Sequence, residues 1–243
     1  MKKVKGILID LGNTIIYNRK FEFIDGLKKV YDLSNKEKPF NYYLDSANQL
    51  SQSTYNLRNT NNNEIKLANY LEQLGINSYI STNYNYLALE YEFLKASSYD
   101  EKIEEAEEFL KYITSESIPI VIVSNSTFSS ETLKKQLDGF GLNKYFKGLI
   151  SSANVGKRKP SHEIFDEGYN ILKTLNSEIK KEEIIFIGND YFIDIMGAFN
   201  AGLRPFWFNE NNIKIDNINN YSEFTFSSYY QLITILNNIN RVE

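Results

Sequence analysis

The sequence predicts an α/β fold: a doubly wound parallel sheet with an inserted α-helical domain. Four short apolar runs, at residues 4–9, 119–123, 184–187 and 205–208, are typical of strands buried on both faces. Amphipathic helical patterns separate these runs from about residue 100 onward. Because strand and helix alternate there, we expect the strands to run parallel, with helices on both faces of the sheet.

Stripes of apolar residues mark the core helices. They are Ile103, Ala106, Phe109, Leu110 and Ile113, then Leu133 and Leu137, then Ile164, Phe165, Gly168, Tyr169 and Leu172, then Ile195, Met196, Phe199 and Leu203. Between the first two strands there is no comparable strand run, but there are helix-like segments at residues 24–33, 42–57, 64–74 and 84–94. An insertion of this length predicts a second, helical domain. We place it at residues 17–98, on a core of residues 1–16 and 99–243.

Composition and charge exclude several classes of protein. The net charge is −4 and Lys and Arg are scattered, so there is no basic surplus to neutralise a nucleic-acid backbone. The first apolar run is too short for a membrane span or the core of a signal peptide. Cysteine is absent, which excludes disulfides and a Cys nucleophile and fits a cytoplasmic location. A single histidine, His162, leaves no multi-histidine metal site.

Polar residues follow the predicted strands. In an open parallel sheet, ligands bind beyond the carboxyl ends of the strands. The segments at those ends are Asp10-Leu11-Gly12-Asn13-Thr14, Ser124-Asn125-Ser126, and Gly188-Asn189-Asp190 followed by Asp194. A Lys159-Pro160 pair stands just before the third core helix, where proline suits the first helical turn. We expect these segments to meet at one edge of the sheet.

Together these residue types suit phosphoryl transfer. The carboxylates of Asp10 and Asp190 are oxygen ligands of the kind that Mg²⁺ prefers. A carboxylate can also attack phosphorus and form a covalent intermediate, provided that the metal and Lys159 offset its repulsion with the phosphate dianion. The hydroxyl of Ser124 and nearby amides would then hold the phosphoryl group. The sequence therefore predicts a magnesium-dependent hydrolase that acts on a small phosphorylated metabolite.

The four polar segments, in this order, resemble the signature motifs of the haloacid dehalogenase superfamily. The resemblance covers essentially the whole chain, and it implies a Rossmann-like core with a cap domain formed by the helical insertion. It also implies that Asp10 is the nucleophile and that the backbone carbonyl of Gly12 ligates Mg²⁺. Ser124 matches the hydroxyl residue of the second motif, and Lys159 matches the lysine of the third.

The resemblance also defines the expected ligands. The expected metal ligands are Asp10, Gly12, Asp190 and Asp194. The expected substrate and phosphate ligands are Gly12, Asn13, Thr14, Ser124, Asn125 and Lys159. The expected catalytic residues are Asp10, Lys159 and Ser124. The expected partner is a small phosphorylated metabolite, with neither a membrane nor a nucleic-acid polymer, and the protein is expected to be a monomer or a homodimer.

One position departs from the pattern of the family's phosphatases. They carry a second aspartate two residues after the nucleophile, where this chain has Gly12. That aspartate protonates the leaving oxygen and later activates water, and a positioned acid or base contributes roughly 10²- to 10⁴-fold, or about 3 to 5 kcal/mol. Three explanations are open: an activated leaving group such as a sugar 1-phosphate or acyl phosphate, a replacement acid from the cap, or loss of catalysis.

Gly12 therefore leaves two alternatives to the phosphatase. One is a 2-haloacid dehalogenase, because halide leaves without a proton and the family's dehalogenases also lack the second aspartate. The other is a catalytically silent protein that binds a phosphorylated ligand. The resemblance favours the phosphatase over the dehalogenase because Asp190 and Asp194 make the fourth motif acidic.

Overall fold

Eight strands are present in the computed structural model, which describes residues 2–58, 60–215 and 221–241. They are β1 (Gly6–Ile9), β2 (Ile16–Phe21), β3 (Ser98–Lys102), β4 (Ile120–Ser124), β5 (Gly148–Ser151), β6 (Ile184–Gly188), β7 (Arg204–Phe208) and β8 (Phe224–Phe226). Six of these strands form one parallel sheet, in the order β5-β4-β1-β6-β7-β8. The predicted α/β core is confirmed.

Helices cover both faces of this sheet. The α-helices of the described residues, in the core and in the insertion, are α1 (Phe23–Asp32), α2 (Phe40–Arg58), α3 (Leu67–Ser78), α4 (Tyr86–Ser97), α5 (Glu104–Ser115), α6 (Ser130–Gly139), α7 (Ser152–Val155), α8 (His162–Leu175), α9 (Met196–Asn200) and α10 (Tyr229–Arg241). Ile7 and Ile9 of β1 share a buried cluster with residues of α5 and α10, whereas Leu8 is buried with Phe165 of α8. This alternation follows from the two-residue period of a strand. No helix in the described ranges is long and apolar enough to cross a membrane.

The four apolar runs of the sequence form β1, β4, β6 and β7. The sequence analysis does not identify β5 and β8, which are the two edges of the sheet. β8 has only three residues, and alternate residues of β5 are half-buried. Neither strand therefore produces the continuous apolar run that marks a strand covered on both faces.

An antiparallel ribbon of β2 and β3 joins the core to the helical insertion. β2 extends to Phe21, within residues 17–98, where the sequence shows no strand run comparable to those of the core. Only Ile16 of β2 is buried, and the other residues are half-buried or exposed. The ribbon therefore lacks the alternation of apolar and polar residues that predicts a half-buried strand.

Four helices, α1 to α4, occupy the insertion among the described residues. Phe93 of α4 packs against Phe23 of α1, with ring centroids 5.3 Å apart. Leu27 of α1 and Phe93 belong to the same buried cluster as Ile7 of the sheet. The insertion therefore packs on the core through a continuous apolar interior, and its separation as a cap domain stays a prediction.

Glu90 of α4 attaches the insertion to the amino end of α6. Its Oε2 accepts hydrogen bonds from Ser129 N at 3.0 Å and from Thr132 Oγ1 at 2.6 Å, and the side chain is fully buried. Backbone N–H groups and the helix dipole stabilise an anion at this end of a helix. The contact holds α4 and α6 together beside the loop that follows β4.

Candidate active site

A cavity of about 530 Å³ opens at the carboxyl ends of β1, β4 and β6. Because β4 and β6 flank β1 in the sheet, the loops that follow these strands are neighbours in space. The predicted residues that line the cavity are Asp10, Gly12, Asn13, Ser124, Asn125, Lys159, Asp190 and Asp194. All four polar segments of the sequence therefore reach one cavity.

A buried lysine links two aspartates in this cavity. Lys159 Nζ lies 2.5 Å from Asp10 Oδ1 and 2.7 Å from Asp194 Oδ1. Lys159 and Asp194 are each only 2% exposed. The contact with Asp194 is an ion pair without the geometry of a hydrogen bond, and no other described group donates a hydrogen bond to Asp194 Oδ1. A buried carboxylate oxygen without a donor is costly, so this one depends on the adjacent ammonium.

The same contacts shift two pKa values. Burial by itself would lower the pKa of Lys159, but the carboxylates of Asp10 and Asp194 outweigh it and hold that pKa above its usual value. Burial raises the pKa of Asp194 to about 6, although Lys159 opposes the shift. At neutral pH one ammonium therefore faces two carboxylates, and the excess negative charge favours binding of a further cation.

We expect Asp194→Asn to stabilise the metal-free protein at neutral pH. The folded pKa of Asp194 is about 6, above its ordinary value of 3.8. Its contribution to stability is therefore present below about pH 4 and is lost as the pH rises through about 6. The variant avoids this loss because its amide carries no charge at any pH.

Urea unfolding in chelator checks this prediction. The free energy of unfolding of Asp194→Asn should exceed that of the natural protein at about pH 8 and should match it at about pH 4. Asp138→Asn is the control, because Asp138 is an exposed carboxylate on α6. A difference that stays constant over this pH range would contradict the raised pKa.

Thr14 supports Asp10 from behind the cavity wall. Its side chain is fully buried, and its hydroxyl lies 3.2 Å from Asp10 Oδ2 and 3.3 Å from Asn189 Oδ1. The hydroxyl of Tyr229 donates a hydrogen bond to the carbonyl of Thr14. Thr14 is not part of the cavity wall, and its predicted contact with phosphate stays a prediction. Thr14 orients Asp10.

Asn189, rather than Asp190, faces Asp10. The hydroxyl of Thr14 lies 3.3 Å from Asn189 Oδ1 and 3.2 Å from Asp10 Oδ2, so these two oxygens are near each other. Asp190 is exposed, and its Oδ1 accepts two backbone hydrogen bonds, both of 2.9 Å, from the following π-helical turn Tyr191–Ile195. The sequence analysis selects Asp190 because carboxylates are common Mg²⁺ ligands. Asp190 lines the same cavity, and its predicted role as a metal ligand stays a prediction.

Asn125 holds the backbone of Lys159. Its Oδ1 accepts a hydrogen bond from Lys159 N at 2.7 Å, and its Nδ2 donates to Lys159 O at 3.0 Å. Both polar atoms of the side chain are therefore engaged in positioning the lysine, and the predicted contact of Asn125 with phosphate stays a prediction. Ser124, directly before Asn125, is 5% exposed and lines the cavity.

The loop after β1 explains why residue 12 is glycine. A Cβ at Gly12 would lie 2.5 Å from Oδ1 of Asn18 on β2. An aspartate at this position would therefore require the exposed side chain of Asn18 to move. The next residue, Asn13, has a φ of 55°, in the left-handed region that asparagine tolerates. The side chain of Asn18, on the ribbon, thus occupies the space where a side chain at position 12 would lie.

The sequence analysis does not identify several residues of the cavity wall. They include Asn18, Ser98, Asp100, Gln136 and Arg158. Asn18 and Asp100 lie on β2 and β3, 82 residues apart in the chain. Both strands contain few buried residues, so no local sequence pattern predicts that they pair. Arg158 differs from the others because it lies directly before Lys159 in the sequence, and this position could have identified it as a residue of the cavity wall.

A family model described as haloacid dehalogenase-like hydrolase matches residues 40–208, more than half of the chain. The chain belongs to this family. The match to this hydrolase begins after β1, so the assignment of Asp10 rests on the order of the motifs and on its place in the cavity.

Two curated relatives of this hydrolase have named substrates. Pyrimidine 5'-nucleotidase YjjG of Escherichia coli (strain K12) is 32% identical over 90 residues, which are 37% of this chain and 37% of that protein. Glyceraldehyde 3-phosphate phosphatase of Pyrococcus furiosus is 30% identical over 106 residues, 43% of this chain and 40% of that protein. The similarity therefore spans less than half of the length of these relatives.

Solved structures share the fold of this hydrolase along nearly its whole length. A HAD phosphatase from Thermococcus onnurineus has a TM-score of 0.61 at 16% identity, over 96% of this chain and 98% of that one. The 2-haloacid dehalogenase from Pseudomonas syringae pv. Tomato DC3000 has a TM-score of 0.64 at 16% identity, over 98% and 99% of the chains. The HAD-hydrolase YfnB from Bacillus subtilis, solved bound to magnesium, has a TM-score of 0.56 at 20% identity, over 97% and 100%. The fold is therefore shared by a phosphatase and a dehalogenase and does not choose between them.

Proposed function

We propose that this hydrolase is a magnesium-dependent phosphatase that cleaves a small phosphorylated metabolite through an aspartyl phosphate on Asp10. The observation that carries this proposal is the buried ammonium of Lys159, 2.5 Å from Asp10 Oδ1 in the cavity. A carboxylate attacks a phosphate dianion only if a nearby positive charge offsets their repulsion. The phosphorylated substrates in the names of the two curated relatives support the same class of substrate.

Each residue has a task in this reaction. In the first step, an oxygen of Asp10 forms a bond to phosphorus while the bond from phosphorus to the leaving oxygen breaks. Lys159 offsets the charge of the phosphoryl oxygens, and Ser124 donates a hydrogen bond to one of them. In the second step, water attacks phosphorus and the bond from phosphorus to Asp10 breaks, which releases phosphate and restores the carboxylate. Thr14 and Asn125 keep Asp10 and Lys159 in place.

The residues present fit a magnesium ion. Mg²⁺ is usually bound through one or two carboxylates together with waters and substrate phosphate. In this proposal Asp10, the carbonyl of Gly12 and Asn189 Oδ1 would hold the ion, and Asp194 Oδ1, buried without a hydrogen-bond donor among the described residues, would add negative charge to the site. Among the described residues no group of three His, Cys, Asp or Glu side chains could hold a metal, so the site relies on carbonyl and amide oxygens as well. The bound ion would neutralise charge on the transferring phosphoryl group.

The residues of the cavity wall restrict the size and polarity of the leaving group that the cavity can hold. Its apolar members are Leu11, Ile16, Phe21, Leu94, Phe128, Leu133 and Ile193. Ser98, Asp100 and Gln136 add hydrogen-bonding groups to the same wall. A cavity of about 530 Å³ with this mixed lining fits a metabolite rather than a polymer. The predicted cytoplasmic location and the choice between monomer and homodimer stay predictions.

Phosphate release from a panel of phosphorylated metabolites tests the proposed function. We expect release in the presence of Mg²⁺ and none in chelator. Halide release from a 2-haloacid in chelator, without phosphate release from any metabolite, would instead identify a dehalogenase. Thermal stabilisation by a phosphorylated metabolite without turnover would identify the silent binding protein.

Two single variants test the metal ligands within the same assay. Asn189→Ala removes an oxygen that faces Asp10, so we expect the Mg²⁺ concentration for half-maximal release to rise by about tenfold or more. Asp190→Asn is the matched control, because asparagine caps a helix as well as aspartate does. It should leave that concentration unchanged within error. If Asp190→Asn raises that concentration and Asn189→Ala does not, then Asp190 is the metal ligand.

A further inference from the structure

A cluster of polar side chains faces the active-site cavity from the ribbon and α6. Asn18 lies on β2, Ser98 and Asp100 on β3, and Gln136 on α6, and all four line the cavity together with Asp10. The steps described above do not use this cluster. It contains a carboxylate, which is the chemical group that position 12 lacks.

Asn18 brings this cluster next to Gly12. Its Oδ1 lies 2.5 Å from the place of a Cβ at Gly12, and its Nδ2 donates a hydrogen bond of 2.8 Å to Asp100 Oδ1. The amide of Asn18 therefore bridges the space of a side chain at position 12 and the carboxylate of Asp100. The acidic group absent from the loop after β1 is supplied nearby by β3.

The carboxylate of Asp100 is held by side chains of β2, β3 and α6. Ser98 Oγ donates to Asp100 Oδ2 at 2.6 Å and Gln136 Nε2 donates to the same oxygen at 2.5 Å. A carboxylate has about four lone-pair sites, and these two donors use those of Oδ2. Among the donors of the described residues, Oδ1 accepts from Asn18 alone, so one of its lone pairs can accept a proton from water.

The other carboxylates of the cavity have different tasks. Within the described ranges, those that line it are Asp10, Asp100, Asp190 and Asp194. Asp10 is the nucleophile of the proposed reaction, Asp194 is paired with Lys159, and Asp190 caps the turn after β6. Asp100 is the carboxylate whose partners are all neutral side chains. It is therefore the one available for proton transfer.

We propose that Asp100 is the general acid and base of this hydrolase and that Asn18 is its positioning residue. The inference rests on the proposed phosphatase function. In the second step, the oxygen of water forms a bond to phosphorus, the bond from phosphorus to Asp10 breaks, and a proton of that water passes to Asp100. In the first step of the next turnover, that proton passes from Asp100 to the leaving oxygen as its bond to phosphorus breaks.

Transient kinetics with p-nitrophenyl phosphate and Mg²⁺ separate the two steps. Nitrophenolate leaves without a proton, so the first step does not need an acid. For Asp100→Asn we expect a burst of nitrophenolate that approaches one equivalent of enzyme, followed by a steady-state rate about 10²- to 10⁴-fold below that of the natural protein. The mass of the intact variant should increase by one phosphoryl group during turnover, because the phosphoenzyme accumulates.

Glu101→Gln is the matched control. Glu101 is the next residue on β3, is exposed and pairs with Arg19, and is not part of the cavity wall. This variant should show the burst and steady state of the natural protein. Asp100→Ala is a second test in case the asparagine disturbs folding, and it should give the same burst with a slow steady state.

Three outcomes would overturn the role of Asp100. They are a steady-state rate of Asp100→Asn equal to that of the natural protein, a proportional loss of burst and steady state in both Asp100 variants, and a slow steady state without phosphoenzyme. Failure of the proposed function looks different, because the natural protein itself would then release no phosphate from any substrate in Mg²⁺.

Discussion

Asp10→Asn is expected to lower the rate of phosphate release by about 10⁴- to 10⁶-fold, as loss of a covalent nucleophile does in other enzymes. The amide of asparagine does not attack phosphorus, so no aspartyl phosphate forms. The variant should remain folded, because Lys159 keeps Asp194 as its ion-pair partner and one buried charge is removed. This loss should therefore appear in kcat without a fall in the melting temperature.

Phosphate release under saturating substrate and Mg²⁺ measures this effect. Asp138→Asn makes the same chemical change on the exposed surface of α6 and should retain full activity. Intact mass after a rapid quench gives a second reading, since the natural protein should carry a phosphoryl group that Asp10→Asn lacks. Phosphate release by Asp10→Asn at the natural rate would remove Asp10 as the nucleophile.

Lys159→Met is expected to destabilise the protein by about 3 to 5 kcal/mol at neutral pH, in addition to abolishing activity. The substitution keeps the length of the side chain and removes its charge. Asp10 and Asp194 then face each other in a buried site without a counter-ion. The cost should be smaller at low pH, because the pKa of Asp194 is already raised by burial and protonation removes its charge.

Chemical unfolding at neutral and acidic pH checks this prediction. The control is Lys147→Met, at an exposed lysine outside the cavity, and it should change the free energy of unfolding very little. The double variant Lys159→Met with Asp194→Asn should recover part of the lost stability but none of the activity. If Lys159→Met is as stable as the natural protein at neutral pH, ion pairing of Lys159 with Asp10 and Asp194 does not stabilise the folded protein.

In the proposed reaction, one part of the site balances charge and a different part transfers protons. Lys159 and Asp194 are buried beside Asp10 on the sheet side. Asp100 approaches the same cavity from the ribbon that leads into the helical insertion. In the proposed reaction the core therefore provides the attack on phosphorus, and the ribbon provides the proton exchange.

The sequence by itself determined four of the six strands of the sheet and placed the principal candidate site residues at their ends. Each buried parallel strand requires a continuous apolar run, so β1, β4, β6 and β7 were visible as such runs. Ligands bind at the carboxyl ends of parallel strands, so Asp10 and Ser124 could be located from the ends of two runs. Lys159 followed from the order of the motifs along the chain.

Only the tertiary structure decided which neighbouring side chains face the cavity and which distant ones join them. Adjacent residues in a turn point in different directions, and the turn after β6 directs Asn189 to Asp10 while Asp190 caps it. Asn18 and Asp100 meet because β2 and β3 pair across the whole insertion, 82 residues apart. The composition and periodicity of a segment indicate which of its faces is buried. The direction of side chains in turns and the contacts between distant polar strands depend instead on how the whole chain packs.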